Sequence, residues 1–427
     1  MSRQTVLSSV SWLGEVPKDW FVERCKYNFS HHKDIVKEKA SQYERLALTM
    51  NGVIKRDKDD VEGLQPKDFE GYQIVERGDL VFKLIDLAGK STSRVGLSSY
   101  QGLVSPAYIL LHADENRITK EYATYYFLSM WHRLIFNEIG NGGIRSSLNL
   151  KDLLEVPILR PSLAEQNAIV KYLDRRDAII NEAIKTYMDT IEKLNEYKSA
   201  ATIFAVTKGI HQEALMPSGE EWLGDIPSHW KIQRTRSLFK EINERGNDKL
   251  PILMVSINSG ISSEEVSDEE RNRIVNRSED KSKYKRMQPG DIVYNMMRAW
   301  QGAFGAARVE GMVSPAYVTI RPIVELDSRY YEYLMRTDIA AQEFKKYSRG
   351  IRDFRLRLYY SEFRDIKVCV PPIKEQREIA DYLDNLYEKI EVAIKQKLSQ
   401  IEKLEEFKKS IIYSAVTGKI DCREGIK

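Results

Sequence analysis

The 427-residue sequence has three cysteines, Cys25, Cys369 and Cys422, far apart and without a CxxC pair. Such spacing argues against a disulfide framework or a zinc site and fits a reducing cytoplasm. No uninterrupted apolar run approaches the ~18 residues of a membrane span. Residues Met1 to Val16 lack a basic start followed by an apolar core, so neither a signal peptide nor a membrane partner is expected. Neither sign of charge is in marked excess: 66 Lys and Arg against 63 Asp and Glu leave a formal net charge of +3. Affinity for nucleic acid must therefore come from local clusters.

The motifs of several chemistries are missing as well. Gly89-Lys90-Ser91 resembles the end of a phosphate-binding loop, but the position of the first glycine is Leu84. The only Pro-Pro pair, Pro371-Pro372, lies between Val370 and Ile373 and lacks the polar and aromatic flanks of an amino-methyltransferase motif. There is no Pro-Asp dipeptide of the kind many metal-dependent nucleases carry. None of the six histidines has metalloprotease spacing, and the pair His31-His32 reads as surface rather than as ligands. No catalytic residue, metal ligand or resident cofactor is expected.

What the sequence does have is a copy of itself. WLGEVPKDW at 12–20 returns as WLGDIPSHW at 222–230. Gly78-Asp79-Leu80-Val81 returns as Gly290-Asp291-Ile292-Val293, and Val104-Ser105-Pro106-Ala107-Tyr108 as Val313-Ser314-Pro315-Ala316-Tyr317. Gly143-Ile144-Arg145 matches Gly350-Ile351-Arg352, and IEKLNEYKSAATIFAVTKGI at 191–210 matches IEKLEEFKKSIIYSAVTGKI at 401–420. Blocks in one order at a nearly constant offset mean two homologous halves, because a period near 210 residues is far too long for a solenoid. Between the anchors, 30–77 and 240–289 scarcely match, nor do 112–142 and 321–349. One frame thus carries two different variable surfaces, with an approximate two-fold relation expected within the chain.

Each half begins with short β-branched and aromatic runs broken by Gly, Ser and Pro, mixed with helical spacing at 120–138 and 328–347. This reads as a compact α+β domain. Each half ends in a long helix. Residues 163–206 contain no Gly or Pro, and Ser162 with Glu165 forms a capping-box pattern just before them. Leu173, Ile180, Tyr187 and Leu194 recur every seven residues, as do Leu383, Ile390, Leu404 and Ile411 in the second half with one position interrupted. Such seams predict a coiled coil. An antiparallel pair would hold the globular domains at opposite ends.

Basic residues cluster with aromatics. Six of the thirteen residues 345–357 are basic and one is acidic. A second cluster is Lys281, Lys283, Tyr284, Lys285 and Arg286, while the first half is sparser. Lysine and arginine neutralise phosphates, and arginine also reads guanine edges. The candidate DNA-binding residues are Lys83, Lys90, Arg94, Arg145, Lys285, Arg298, Lys346, Arg349, Arg352 and Arg355. Arg298 also reads as a packed structural arginine, and a basic run is also simply a solvated face. An autonomous DNA methyltransferase or nuclease, and a coiled-coil protein-interaction scaffold, remain the alternatives.

Taken in order, these blocks resemble the specificity subunits of type I restriction–modification enzymes across essentially the whole chain. The two WLG blocks are similar to the openings of that family's target-recognition domains, and 142–174 and 349–384 to the exits into its spacer helices. The swap of Lys208-Gly209 against Gly418-Lys419 leaves the helix ends open. The resemblance implies an α+β fold with two homologous target-recognition domains joined by two long helices in an antiparallel coiled coil, pseudo-two-fold symmetric. It implies domains at 1–160 and 209–370, spacer helices at 161–208 and 371–420, and a tail at 421–427. It also implies a non-catalytic DNA-reading subunit, each domain taking one half of an asymmetric bipartite site. Expected partners are double-stranded DNA, two modification subunits and two restriction subunits. S-adenosylmethionine, ATP and Mg are expected in those partners and none in this chain.

Overall fold

The computed structural model describes residues 3–57, 69–87, 89, 92–140, 147–247, 249–257, 260–262, 283–350 and 355–423. They divide into two compact units: 1–187 with 398–427, and 188–397. The division falls inside two long helices, α4 (Leu163–Lys208) and α8 (Ile373–Val416), so each unit contains part of both.

In the first unit, a four-stranded antiparallel sheet runs in the order Phe29–His31, Ile109–Ala113, Leu80–Phe82, Val95–Leu97. A second sheet orders Gly52–Arg56, Arg45–Thr49, Gly102–Val104 and Gln73–Val75. Helices α1 (Lys120–His132), α2 (Ile135–Ile139) and α3 (Leu150–Glu155) follow. Thr119 caps α1, and Asn149 with Asp152 closes a capping box on α3, supplying partners for N–H groups that a helix start leaves open. Leu80, Phe82, Tyr122, Phe127 and Phe136 form the core with Ile411 and Val416 of α8.

The second unit repeats the plan. Its sheet orders Phe239–Ile242, Tyr317–Pro322, Ile292–Asn295 and Phe304–Ala306, all antiparallel. Helices α5 (Ser328–Met335), α6 (Asp338–Tyr347) and α7 (Tyr360–Phe363) cover it. Tyr294, Phe304, Tyr330 and Phe363 pack with Ala205 and Val206 of α4.

Within the second unit α4 and α8 run antiparallel. Lys198 reaches Glu391 at 3.4 Å, and one turn later Thr202 meets the Tyr387 hydroxyl at 3.0 Å. Partner numbers fall as the α4 numbers rise. In the first unit Lys408 donates to Asn181 at 3.2 Å and also pairs with Asp177. The Glu165 N–H donates to the Ser162 hydroxyl at 3.3 Å, so the capping pattern marks the start of α4.

One internal lock differs between the halves. Asp79 and Asp291 are both buried, and each accepts the backbone N–H three residues before it. Arg321 forks onto Asp291 at 2.7 and 2.8 Å. Asp79 instead faces His112 and His32, each at 3.1 Å. His31 and His32 are thus bound into the domain, His31 through the Leu110 carbonyl at 2.8 Å. Among the described residues no helix is long and apolar enough to cross a membrane.

Candidate nucleic-acid interface

The second unit carries a group of basic residues where an inner strand of its sheet leaves into a turn. The strand Ile292–Asn295 leads into a tight turn over Ala299–Gln301, which Gly302 ends with φ 81°. Only glycine holds that backbone without a Cβ penalty. Arg298 precedes the turn and is exposed, and Trp300 donates its indole N–H to the Met297 carbonyl at 3.1 Å. Lys345, in the last turn of α6, lies over the Trp300 ring at 5.4 Å. Cations in that last turn also complement the negative helix end.

After α6 the chain doubles back. Arg349 and Arg357 face each other in an antiparallel bridge, exchanging two backbone hydrogen bonds of 2.9 Å. Arg355 and Arg357 are exposed while Leu356 and Leu358 are buried, an alternation with the strand period of two. The Leu358 N–H donates to Met296 at 2.9 Å, tying this ribbon to the Arg298 turn. The result is a basic face with the Trp300 ring beside it.

The sequence-predicted residues divide on inspection. In the second unit Arg298, Lys346, Arg349 and Arg355 lie exposed on or next to this face. Lys346 pairs with Glu343 at 2.8 Å, and Arg349 with Glu362. Lys285 does not join them. Its amine donates to the Tyr317 carbonyl at 2.8 Å, and burial holds it below the usual lysine range. In the first half Gln73 performs the same task, donating to the Tyr108 carbonyl at 2.7 Å.

In the first unit Arg94 is likewise turned inward, 2% exposed. Its guanidinium donates to the carbonyls of Asp86, at 2.6 Å, and Gly89. Its charge therefore holds a loop rather than meeting a ligand, and burial lowers its pKa. Lys83 is half-buried, donates to the Thr92 hydroxyl at 3.2 Å, and is lowered chiefly by burial. Lys90, Arg145 and Arg352 lie outside the described residues. Arg357 and Trp300, missing from the candidate set, are brought to the face by the Arg349 bridge and the Lys345 contact. The alternation Arg355-Leu356-Arg357-Leu358 was the available signal for Arg357.

The helix seam is graded. Leu173, Ile180, Leu383, Ile390 and Ile411 are buried, whereas Tyr187, Leu194 and Leu404 are half-buried. Among the described residues no group of three His, Cys, Asp or Glu side chains is placed to hold a metal ion.

Two copies of one α+β domain, each packed on parts of two antiparallel long helices, define a two-domain repeat subunit. The chain belongs to the type I restriction modification DNA specificity domain family, whose model matches residues 48–193 and again 223–403. It is a specificity subunit of a type I restriction–modification system, with two target-recognition domains. It is 24% identical over 439 aligned residues to a Methanocaldococcus jannaschii protein assigned as the MjaX specificity subunit, covering 96% of this chain and 95% of that one. To the MjaVIII specificity subunit of the same organism it is 24% identical over 339 residues, 75% of each chain. Its fold matches a chain from a type I R-M complex with a TM-score of 0.66 at 13% identity, covering 95% of this chain and 99% of that one. It also matches the HsdS subunit from Thermoanaerobacter tengcongensis with a TM-score of 0.51 at 15% identity, over 95% and 98% of the two chains.

Proposed function

We propose that the chain is the non-catalytic reader of an asymmetric, bipartite site on double-stranded DNA. Domains 1–160 and 209–370 each take one half-site. The helices within 161–208 and 371–420 set the spacing, and 421–427 form a tail. The observation that carries this reading is a repeated frame with unlike faces. Arg298 stands where the first half has Asp86, and Arg357 where it has Ser147. Unlike faces on one frame suit unlike half-sites, one helical turn of ~34–36 Å apart when read from one side of the duplex.

Chemistry belongs to partners. Two modification subunits would bring S-adenosylmethionine and the adenine methyltransferase site, and would flip the base out of the stack. Two restriction subunits would bring ATP and Mg for cleavage. The assembly would work in the cytoplasm. This reading places Arg298, Lys346, Arg349, Arg352 and Arg355 toward DNA in the second domain, and Lys83, Lys90 and Arg145 in the first.

Methylation sequencing of host DNA, with the gene present and deleted, tests it. Loss of one gapped, asymmetric adenine-methylation motif on deletion is expected. An unchanged methylome in a host whose modification partner is expressed overturns the reading. Turnover of DNA by the purified chain alone would instead favour an autonomous enzyme.

A further inference from the structure

We propose that Arg357, with Arg349 beside it, is a phosphate clamp that grips the DNA backbone without reading sequence. The inference rests on the DNA-reading function proposed above and assigns a role within it. Residues directly opposed across an antiparallel bridge send their side chains out on the same face. Arg349 and Arg357 are so opposed, and both are exposed. Two like charges in that position destabilise a ribbon.

The ribbon is nevertheless built to hold them. Leu356 and Leu358 anchor its inner side, and Leu358 is fully buried. Gly350 lets the chain cross closely: a Cβ there would lie 2.6 Å from the Arg355 carbonyl oxygen. Glu362 offsets the charge of Arg349 alone. A guanidinium has five N–H donors, so one carboxylate does not exhaust it. Arg357 has no side-chain hydrogen bond or ion pair among the described residues. Two guanidinia on one face, one with no side-chain partner among the described residues, suit a phosphodiester, whose oxygens accept forked N–H bonds.

The neighbouring turn has a different character. Arg298 and Trp300 offer a flexible fork and a flat ring, the groups that touch base edges and base planes. Phosphate contacts position a protein on DNA, whereas base contacts specify the site. The bridge and the turn are joined by the Leu358–Met296 hydrogen bond, so the clamp would set the register of the turn.

The test uses the full chain assembled with its modification subunits. Binding is measured against salt concentration on two short duplexes, one with the methylation motif and one with that motif scrambled. Arg357→Ala should weaken both by the same several-fold factor and make the salt slope shallower by about 0.9, the value of one phosphate contact. Arg357→Lys should keep the slope. Unchanged affinity and slope overturn the clamp, and so does a loss confined to the motif duplex, which would make Arg357 a base reader. Failure of the wild-type assembly to prefer the motif overturns the underlying reading instead. If Arg357→Ala melts early, Arg357→Gln against Arg357→Lys gives the same contrast in charge.

Discussion

Trp230 donates its indole N–H to the Glu375 carboxylate at 2.8 Å, and Trp20 does the same to Glu165 at 3.0 Å. Each tryptophan closes a WLG block, and each glutamate sits in the first turn of a long helix, where the helix dipole favours a negative charge. The repeat therefore preserves a weld between domain and helix. Trp230→Phe retains most of the buried ring but leaves the carboxylate one donor short. A loss of about 0.5–1.5 kcal/mol is expected, the net contribution of one hydrogen bond, because Glu375 is half-buried and keeps His229 as a partner at 2.6 Å. Urea denaturation measures it, and a wild-type midpoint would show that the bond is incidental.

Acid should loosen the first unit through Glu23. Arg160 donates to its carboxylate at 2.9 and 3.0 Å, with Arg117 at 2.8 Å and Asn28 at 3.3 Å. The Arg160 hydrogen bonds, seconded by Arg117, hold its pKa down to about 2 against an ordinary value of 4.5. The folded value lies below the unfolded one, so the contribution is complete above pH 4.5. It is lost as the pH falls from 4.5 toward 2. Glu23→Gln should lower stability at neutral pH and flatten the acid slope over that window. Parallel curves for variant and wild type from neutral to acid would refute this.

Lys285 offers a test by exchange between the halves. It and Gln73 reach equivalent carbonyls, Tyr317 and Tyr108, at 2.8 and 2.7 Å. Lys285→Gln should therefore fold with stability within about 1 kcal/mol of wild type, whereas Lys285→Ala should lose about 1–2 kcal/mol with the carbonyl left open. Neither should alter the salt dependence of DNA binding. A slope that falls with Lys285→Gln would restore this lysine to the DNA surface.

These cases mark what the sequence can say. The repeat, the two helices and the cap at Ser162 follow from spacing and residue type, so they were legible. The fate of Lys285 and Arg94 was not, because a charge in a loop takes its role from which carbonyl lies within reach. That is set by chain segments distant in sequence: Tyr317 for Lys285, the 86–89 turn for Arg94. Arg357 was partly legible. Its alternation with Leu356 and Leu358 gave its direction, but only the bridge to Arg349 gave its partner.

Arg94 itself should matter for folding. Its buried guanidinium holds the carbonyls of Asp86 and Gly89 around a turn in which Asp86 takes the left-handed φ of 53°. Arg94→Met keeps an apolar stem and removes the donors. A loss of roughly 2–3 kcal/mol is expected. The salt slope of DNA binding should not change in the fraction that folds. A stable variant with a shallower slope would show that this arginine contacts phosphate after all.

The graded seam gives the last prediction. Leu383 is fully buried in the second unit, in the same cluster as Ala205 and Val206 of α4, whereas Leu404 is half-buried. Both occupy the same heptad position, so periodicity alone makes them equal. Burial makes them different. Leu383→Ala opens a cavity in that cluster and should cost about 2–5 kcal/mol. Leu404→Ala removes a side chain that is already partly exposed and should cost about 1 kcal/mol. Denaturant midpoints of the two variants rank them. The reverse order would mean that Leu404 is covered in the assembled protein, which repeating the comparison with modification subunits bound would reveal as a penalty that grows on assembly.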